Sequence, residues 1–174
     1  ESMIEVRLLE HDKEKKKLSF VLMNSTPSFA NIIRRTIAEE VPVMAIEDVE
    51  FRKNNSILYD EIIALRLGLL PLTTDLKSYN LPAECKCKGK GCARCQLKLT
   101  LKAKGPGTVY ASDMHTRDAA IKPVYQKTPI VKLLKNQSLE LEAVAVLGKG
   151  KEHTKWSPGH VYYKNKPVIE IDLK

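Results

Sequence analysis

The sequence predicts an α+β protein built mainly on antiparallel sheet, and three observations carry that expectation. Roughly eight runs alternate apolar and polar residues with the period of a half-buried strand, whereas only two stretches repeat at the helical period. The connections between them are short, as expected for closely packed modules. No internal repeat, low-complexity tract or Gly/Ser linker interrupts them.

The first two runs form a hairpin. Ile4, Val6 and Leu8 alternate with Glu5 and Arg7, Leu18, Phe20 and Leu22 do the same, and the charged stretch His11–Lys17 turns between them. Thr26 then supplies a cap and Pro27 a first helical position that needs no N–H. From there Phe29, Ile32, Ile33, Thr36 and Ile37 share one helix face, and Asn31, Arg34, Arg35 and Ala38 lie opposite. Val41-Pro42 ends the helix, because the residue before proline avoids the α region. A strand is expected over 43–51, closed by Asn54-Asn55. The dense apolar set Ile62, Ile63, Leu65, Leu67, Leu69 and Leu70 predicts a short buried helix over 59–67, with Asp60 and Glu61 at its positive end and Gly68 and Pro71 as its stop. A polar connection over 71–95 follows, then a strictly alternating strand over 97–103. Gly105-Pro106-Gly107 turns the chain into 108–111. Further strands are read from Leu139, Leu141, Ala143 and Ala145, and from Ile169, Ile171 and Leu173. Composition divides the chain in two: the hairpin with its helix, and a β-rich body from 42 to about 164.

Lys and Arg total 29 against 21 Asp and Glu, a formal net charge of +8, and 43% of the residues are hydrophobic. That much apolar material supports a packed core and excludes a disordered basic tail. No run approaches the roughly 18 apolar residues of a membrane span, and the acidic, alternating first 15 residues do not read as a signal peptide. A soluble, cytoplasmic protein with no membrane contact is expected. The charge invites a nucleic-acid role, yet rings are few, with one Trp, six Tyr and three Phe. No helix pairs a basic face with base-reading Asn or Gln. Lys98, Lys102 and Lys104 on one strand, and Lys13, Lys15, Lys16 and Lys17 on one turn, therefore read mainly as solvated surface. Arg34-Arg35, behind an apolar helix face, fits a protein interface better.

The sharpest chemical signal is Cys85-x-Cys87-x4-Cys92-x2-Cys95. Four soft thiolates are what a structural zinc takes, at about 2.3 Å each, and Gly89 and Gly91 allow the loop to fold back so that the pairs converge. Lys86, Lys88, Lys90 and Arg94 would offset the charge of a tetrathiolate centre. Two disulfides or four free thiols are the alternatives, and Cys-x-Cys is the tighter and weaker half of the pattern. No catalytic set is visible. His11, His115, His153 and His160 are in polar stretches without metal-ligand spacing, there is no Gly-x-Ser-x-Gly elbow, and Gly148-Lys149-Gly150-Lys151 lacks the preceding part of a phosphate loop.

At Asn31-Ile32-Ile33-Arg34-Arg35-Thr36 the sequence resembles the Asn-x-x-Arg-Arg helix of the α-like subunits of multisubunit RNA polymerases. The likeness continues through Val41–Glu47, Asp60–Leu72, the four-cysteine loop and Gly148–Pro158, in family order and over almost the whole chain. It is nearest the archaeal branch of that family, with the eukaryotic third-largest subunit as the neighbouring branch. The resemblance implies a discontinuous α-like dimerisation domain, 1–41 and 165–174, with an inserted β-rich domain, 42–164, carrying the cysteine loop 85–95. It implies a subunit of a DNA-directed RNA polymerase, a nucleotidyltransferase, that has no catalytic residues itself. The chain would pair with a smaller α-like partner, subunit L, as the platform on which the large subunits assemble in transcription.

Carried over by position, Phe29, Ile32, Ile33 and Ile37 would pack in or beside the dimer interface, at the Asn31 helix. Arg34 and Arg35 would face a large subunit or cap that interface, and Lys155, Trp156 and Pro158 would form a surface towards other subunits. Cys85, Cys87, Cys92 and Cys95 would carry zinc, and no iron–sulfur cluster is expected within these residues. Nucleic acid would be met only through the assembled enzyme. The competing reading is a zinc-ribbon nucleic-acid-binding module. Three departures stand out. The chain stops at Lys174, where family members usually continue through an iron–sulfur-type module and a long helix, so a C-terminal truncation is expected. Four residues separate Cys87 from Cys92 where eukaryotic relatives commonly show three. Glu1-Ser2 before Met3 reads as a cloning remnant.

Overall fold

The computed structural model describes residues 3–169 and 171. It divides into two compact units, Glu1–Ala38 with Gly159–Lys174, and Glu39–Pro158. In the first unit, β1 (Glu5–Asp12) and β2 (Lys17–Met23) pair antiparallel, from Glu5 opposite Met23 to Asp12 opposite Lys17, with a register shift between Leu8 and Glu10. Helix α1 (Pro27–Glu40) opens as its sequence dictates: the Phe29 N–H donates to Thr26 Oγ1 at 3.3 Å, so the threonine hydroxyl takes one of the orphan first-turn donors. No α1 residue is buried. Of the strand expected from Ile169, Ile171 and Leu173, the described residues Ile169 and Ile171 are assigned to no strand and are 82% and 76% exposed, and Leu173 lies outside the described residues.

The second unit is built on a four-stranded antiparallel sheet, in the order β3-β8-β4-β6. Its members are β3 (Val43–Asn54), β4 (Gln96–Lys104), β6 (Met114–Thr116) and β8 (Ser138–Gly148). A two-stranded ribbon joins β5 (Gly107–Tyr110) to β7 (Pro129–Leu133). The alternation in β4 and β8 decides which face is inside. Leu97, Leu99 and Leu101 from β4 and Leu139, Leu141, Ala143 and Ala145 from β8 are buried, all but Leu97 and Leu141 completely. Each large side chain buried in this way contributes about 1.5–3 kcal/mol of hydrophobic stabilisation. The other face is a charge lattice, in which Lys98 bonds Glu142 at 2.6 Å, Arg52 approaches the same carboxylate at 3.6 Å, and Lys102 meets Glu140 at 3.1 Å.

Helix α2 (Asp60–Gly68) covers the core with Ile63 and Leu67, both fully buried, followed by Leu70. It is not the wholly buried helix that its composition predicts. Residues 62, 65 and 69 are spaced i, i+3, i+7 and fall on the opposite side, where Ile62, Leu65 and Leu69 are 43%, 61% and 56% exposed. Among the described residues no helix is long and apolar enough to cross a membrane.

The stretch after β8 folds back onto the unit. Lys149 and Lys151 reach the Glu40 carboxylate at 3.0 and 3.5 Å, and the Lys151 N–H donates to the Glu39 carbonyl. The Gly148–Lys151 run is thus tied to Glu39 and Glu40, which belong to this same unit. A 3₁₀ turn then seats Trp156, whose indole N–H donates to the Val146 carbonyl at 3.3 Å. A Cβ at position 148 would lie 2.3 Å from the indole ring, so only glycine leaves room there.

Leu101→Ala is expected to lower unfolding stability in urea by about 2–5 kcal/mol, because the cavity opens beneath a central strand. Gly148→Ala must displace the ring, at about 1–3 kcal/mol, and Trp156 is the sole tryptophan of the chain, so its emission should shift to the red in the folded state.

Candidate metal centre and interface residues

The four cysteines arrive from a single knuckle between a short 3₁₀ turn (Pro82–Glu84) and β4. Lys88 N–H donates to the Cys85 carbonyl and Lys90 N–H to that of Cys87, while the Cys95 and Gln96 N–H groups both donate to the Cys92 carbonyl. These tight turns need left-handed backbone at Lys88, Gly89 and Gly91, with φ of 53°, 77° and 83°. The connection that bears the knuckle is anchored by Tyr79, which is buried and donates its hydroxyl to Asp118 at 2.7 Å.

The result is a cluster in which all four Sγ atoms lie within 4.8 Å of one another. Cys85–Cys92, Cys87–Cys95 and Cys92–Cys95 are 3.6, 3.5 and 3.8 Å apart. Tetrahedral coordination with metal–sulfur bonds of about 2.3 Å puts sulfur atoms roughly 3.8 Å apart, so the donor set fits a single four-coordinate ion. All four are free thiols, clustered but not cross-linked. Their environments differ. Burial pushes the Cys95 thiol up to about 12. At Cys87 burial acts in the same direction but is outweighed by hydrogen bonds from Cys85, Cys95 and Cys92, which bring it down to about 7. Lys86, Lys88, Lys90 and Arg94 ring the knuckle from exposed positions.

Residues 46–172 match the family model of the RNA polymerase Rpb3/RpoA insert domain. The chain belongs to that family. It is 48% identical over 171 residues to the DNA-directed RNA polymerase subunit Rpo3 of Methanosarcina acetivorans, covering 97% of this chain and 64% of that protein. With Rpo3 of Pyrococcus furiosus it shares 45% over 168 residues, covering 97% and 61%, and with Rpo3 of Archaeoglobus fulgidus 40% over 171 residues, covering 98% and 64%. The chain therefore spans less than two thirds of the length of these Rpb3/RpoA relatives.

The residues singled out from sequence fall into three groups. The cysteines are brought together in the knuckle. On α1, Phe29 and Ile32 are 38% and 60% exposed, Ile33 and Ile37 are half-buried, and Asn31 accepts a 3.0 Å hydrogen bond from Arg34 Nε that fixes the guanidinium along the helix; Arg35 is exposed. The third group, Lys155, Trp156 and Pro158, is not a surface patch as a whole. Trp156 is buried, and the Lys155 ammonium is engaged by Glu47 and the Ile46 carbonyl while lying 4.5 Å from the indole centroid; Pro158 alone is exposed. A tryptophan in a motif reads equally well as an anchor outward or inward, and the missing Cβ at Gly148 decides for inward.

In the metal-free chain, alkylation by iodoacetamide read by peptide mass mapping should label Cys87 first, with half-maximal rate near pH 7. Cys95 should remain unlabelled well above that pH, because only the thiolate reacts.

Proposed function

We propose that the chain is a non-catalytic α-like subunit of an archaeal multisubunit DNA-dependent RNA polymerase, acting in the cytoplasm. It pairs with a smaller α-like subunit, subunit L, and the pair is the platform on which the large catalytic subunits assemble. The observation that carries this reading is the apolar surface of the first unit. Alongside α1, where nothing is buried, Val6, Leu8 and Leu18 are 60–63% exposed and Phe20 is 38% exposed. A surface of that extent is unfavourable in water and marks an association site. The relatives are named as polymerase subunits, which supplies the kind of assembly concerned. The unit with the Asn31–Arg35 helix serves as the dimerisation domain, and Arg34 and Arg35 face a large subunit beside it.

Cys85, Cys87, Cys92 and Cys95 hold a structural zinc ion, which when bound supplies folding energy to a loop that has little hydrogen-bonded structure of its own. The tetrahedral spacing of the sulfur atoms supports this over disulfides. Nucleic acid is approached only through the assembled enzyme. What favours that over a free-standing nucleic-acid module is that Arg52, Lys98 and Lys102 on the sheet's open face are already partnered by glutamates.

Co-expression with the small α-like subunit should give a stable heterodimer, and Ile32→Asp should reduce its recovery by at least tenfold. A wild-type chain that elutes as a monomer beside that partner refutes the pairing. Metal analysis should find about one zinc per chain, falling to near zero in Cys92→Ser; wild-type protein with no bound zinc refutes the metal assignment.

A further inference from the structure

We infer that Tyr79 is a positioning residue for the metal centre: through its hydroxyl on Asp118 it holds the limb that carries Cys85 and Cys87 against the limb that carries Cys92 and Cys95. The inference rests on the zinc assignment proposed above and adds to it a residue outside the ligand set. The two halves of the centre are held differently. Cys92 and Cys95 lead straight into β4, where Gln96 already lies opposite Val146 and donates its N–H to the Cys92 carbonyl. Cys85 and Cys87 instead follow the 3₁₀ turn Pro82–Glu84, which belongs to no sheet. Yet the close sulfur separations Cys87–Cys95, 3.5 Å, and Cys85–Cys92, 3.6 Å, both cross from one half to the other. A four-coordinate site therefore exists only while the two limbs keep their relative place.

Tyr79 is 6% exposed, packed in the core six residues before Cys85, and its hydroxyl donates to Asp118 Oδ2 at 2.7 Å. Asp118 is itself fixed: its N–H donates to Thr116 Oγ1 at 3.1 Å, and its Oδ1 accepts the Ala120 N–H at 2.9 Å. Thr116 ends β6 and lies opposite Leu99 of β4. The bond thus ties the first limb to the same sheet from which the second limb emerges. Beside it, the Asn80 N–H donates to the Arg94 carbonyl at 2.8 Å, joining the limbs directly next to Cys95. The path from there to Cys85 is stiff, because Pro82 fixes its own φ and the Glu84 and Cys85 N–H groups donate to the Leu81 and Pro82 carbonyls. A displacement at Tyr79 is therefore passed on to the first two ligands rather than absorbed. Burial and then the Asp118 carboxylate push the Tyr79 phenol up to about 12, so at neutral pH it remains a donor.

The test is the zinc affinity of the full chain, measured by competition with a chromogenic chelator, with thermal unfolding of the zinc-loaded and zinc-stripped chain read in parallel. Tyr79→Phe keeps the ring in the core and removes only the hydroxyl, and Asp118→Ala removes the same bond from its other end. Partners that orient metal ligands from behind carry tenfold or more in affinity, so both variants should weaken zinc binding about tenfold. Asp118→Asn can still bond the phenol oxygen, though without the charge, and should stay within about threefold of wild type. Leu101→Ala, which opens the core further along β4, should bind zinc as wild type does. Tyr79→Phe should lower the unfolding temperature of the zinc-loaded chain more than that of the stripped chain, because part of what it loses is stabilisation by the bound ion. Wild-type zinc affinity in Tyr79→Phe and Asp118→Ala, an equal fall in unfolding temperature with and without zinc, or an equal loss of zinc in Leu101→Ala each overturns the inference and leaves the zinc assignment standing. A wild-type chain that takes up no zinc overturns both.

Discussion

The second unit depends on β8. It is paired over almost its whole length on both edges: Val43 to Asn54 of β3 run opposite Gly148 to Leu139, and Gln96 to Lys104 of β4 run opposite Val146 to Ser138. A strand hydrogen-bonded on both edges has no free backbone groups to offer, so its register is set from two sides at once. A slip of one residue would turn Leu139, Leu141, Ala143 and Ala145 outward and bring Glu140 and Glu142 into the core. The features around it are placed by this constraint. Its far end delivers Gly148 and hence the seat of Trp156. Its outward glutamates fix the lysines of β4. Where β4 begins, the last cysteine of the knuckle is already in position.

Much of this fold was legible in the chain because the hydrophobic period is unambiguous where one side of a strand meets water. The hairpin of β1 and β2, α1 with its Thr26 cap, β4 and β8 all declare themselves in this way. The elements that escape such a reading share a cause. Met114–Thr116 and Pro129–Leu133 are too short to establish a period, and their strand state comes from partners distant in sequence. Ile169 and Ile171 do establish one, yet among the described residues neither is assigned to a strand. In α2 the period is drowned by apolar residues on both sides, so that high apolar density imitates complete burial. Composition also sets the division of the chain at 41/42 and 164/165, whereas the compact units divide at 38/39 and 158/159.

The candidate site was legible to a different degree for each of its parts. Metal-ligand spacing is a local property, encoded by cysteines and by the glycines that let the chain double back, so Cys85 to Cys95 could be read without knowing the fold. Direction is not local. Nothing in the string Lys155-Trp156-Ser157-Pro158 states whether the indole points to a neighbour or to its own chain, since this is decided by a missing Cβ eight residues earlier and by Glu47 on another strand. The same applies to the lysines of β4, whose charge is conspicuous in sequence and largely compensated in space.

The knuckle has a further consequence for the life of the chain. Lys86, Lys88, Lys90 and Arg94 stand exposed on a turn held by only a few backbone hydrogen bonds. With an ion among the sulfur atoms, the loop is a closed ring of ligands. Without one, the four cations repel each other with less negative charge between them, and the turn becomes the segment most easily drawn into the cleft of a protease that cuts after lysine or arginine.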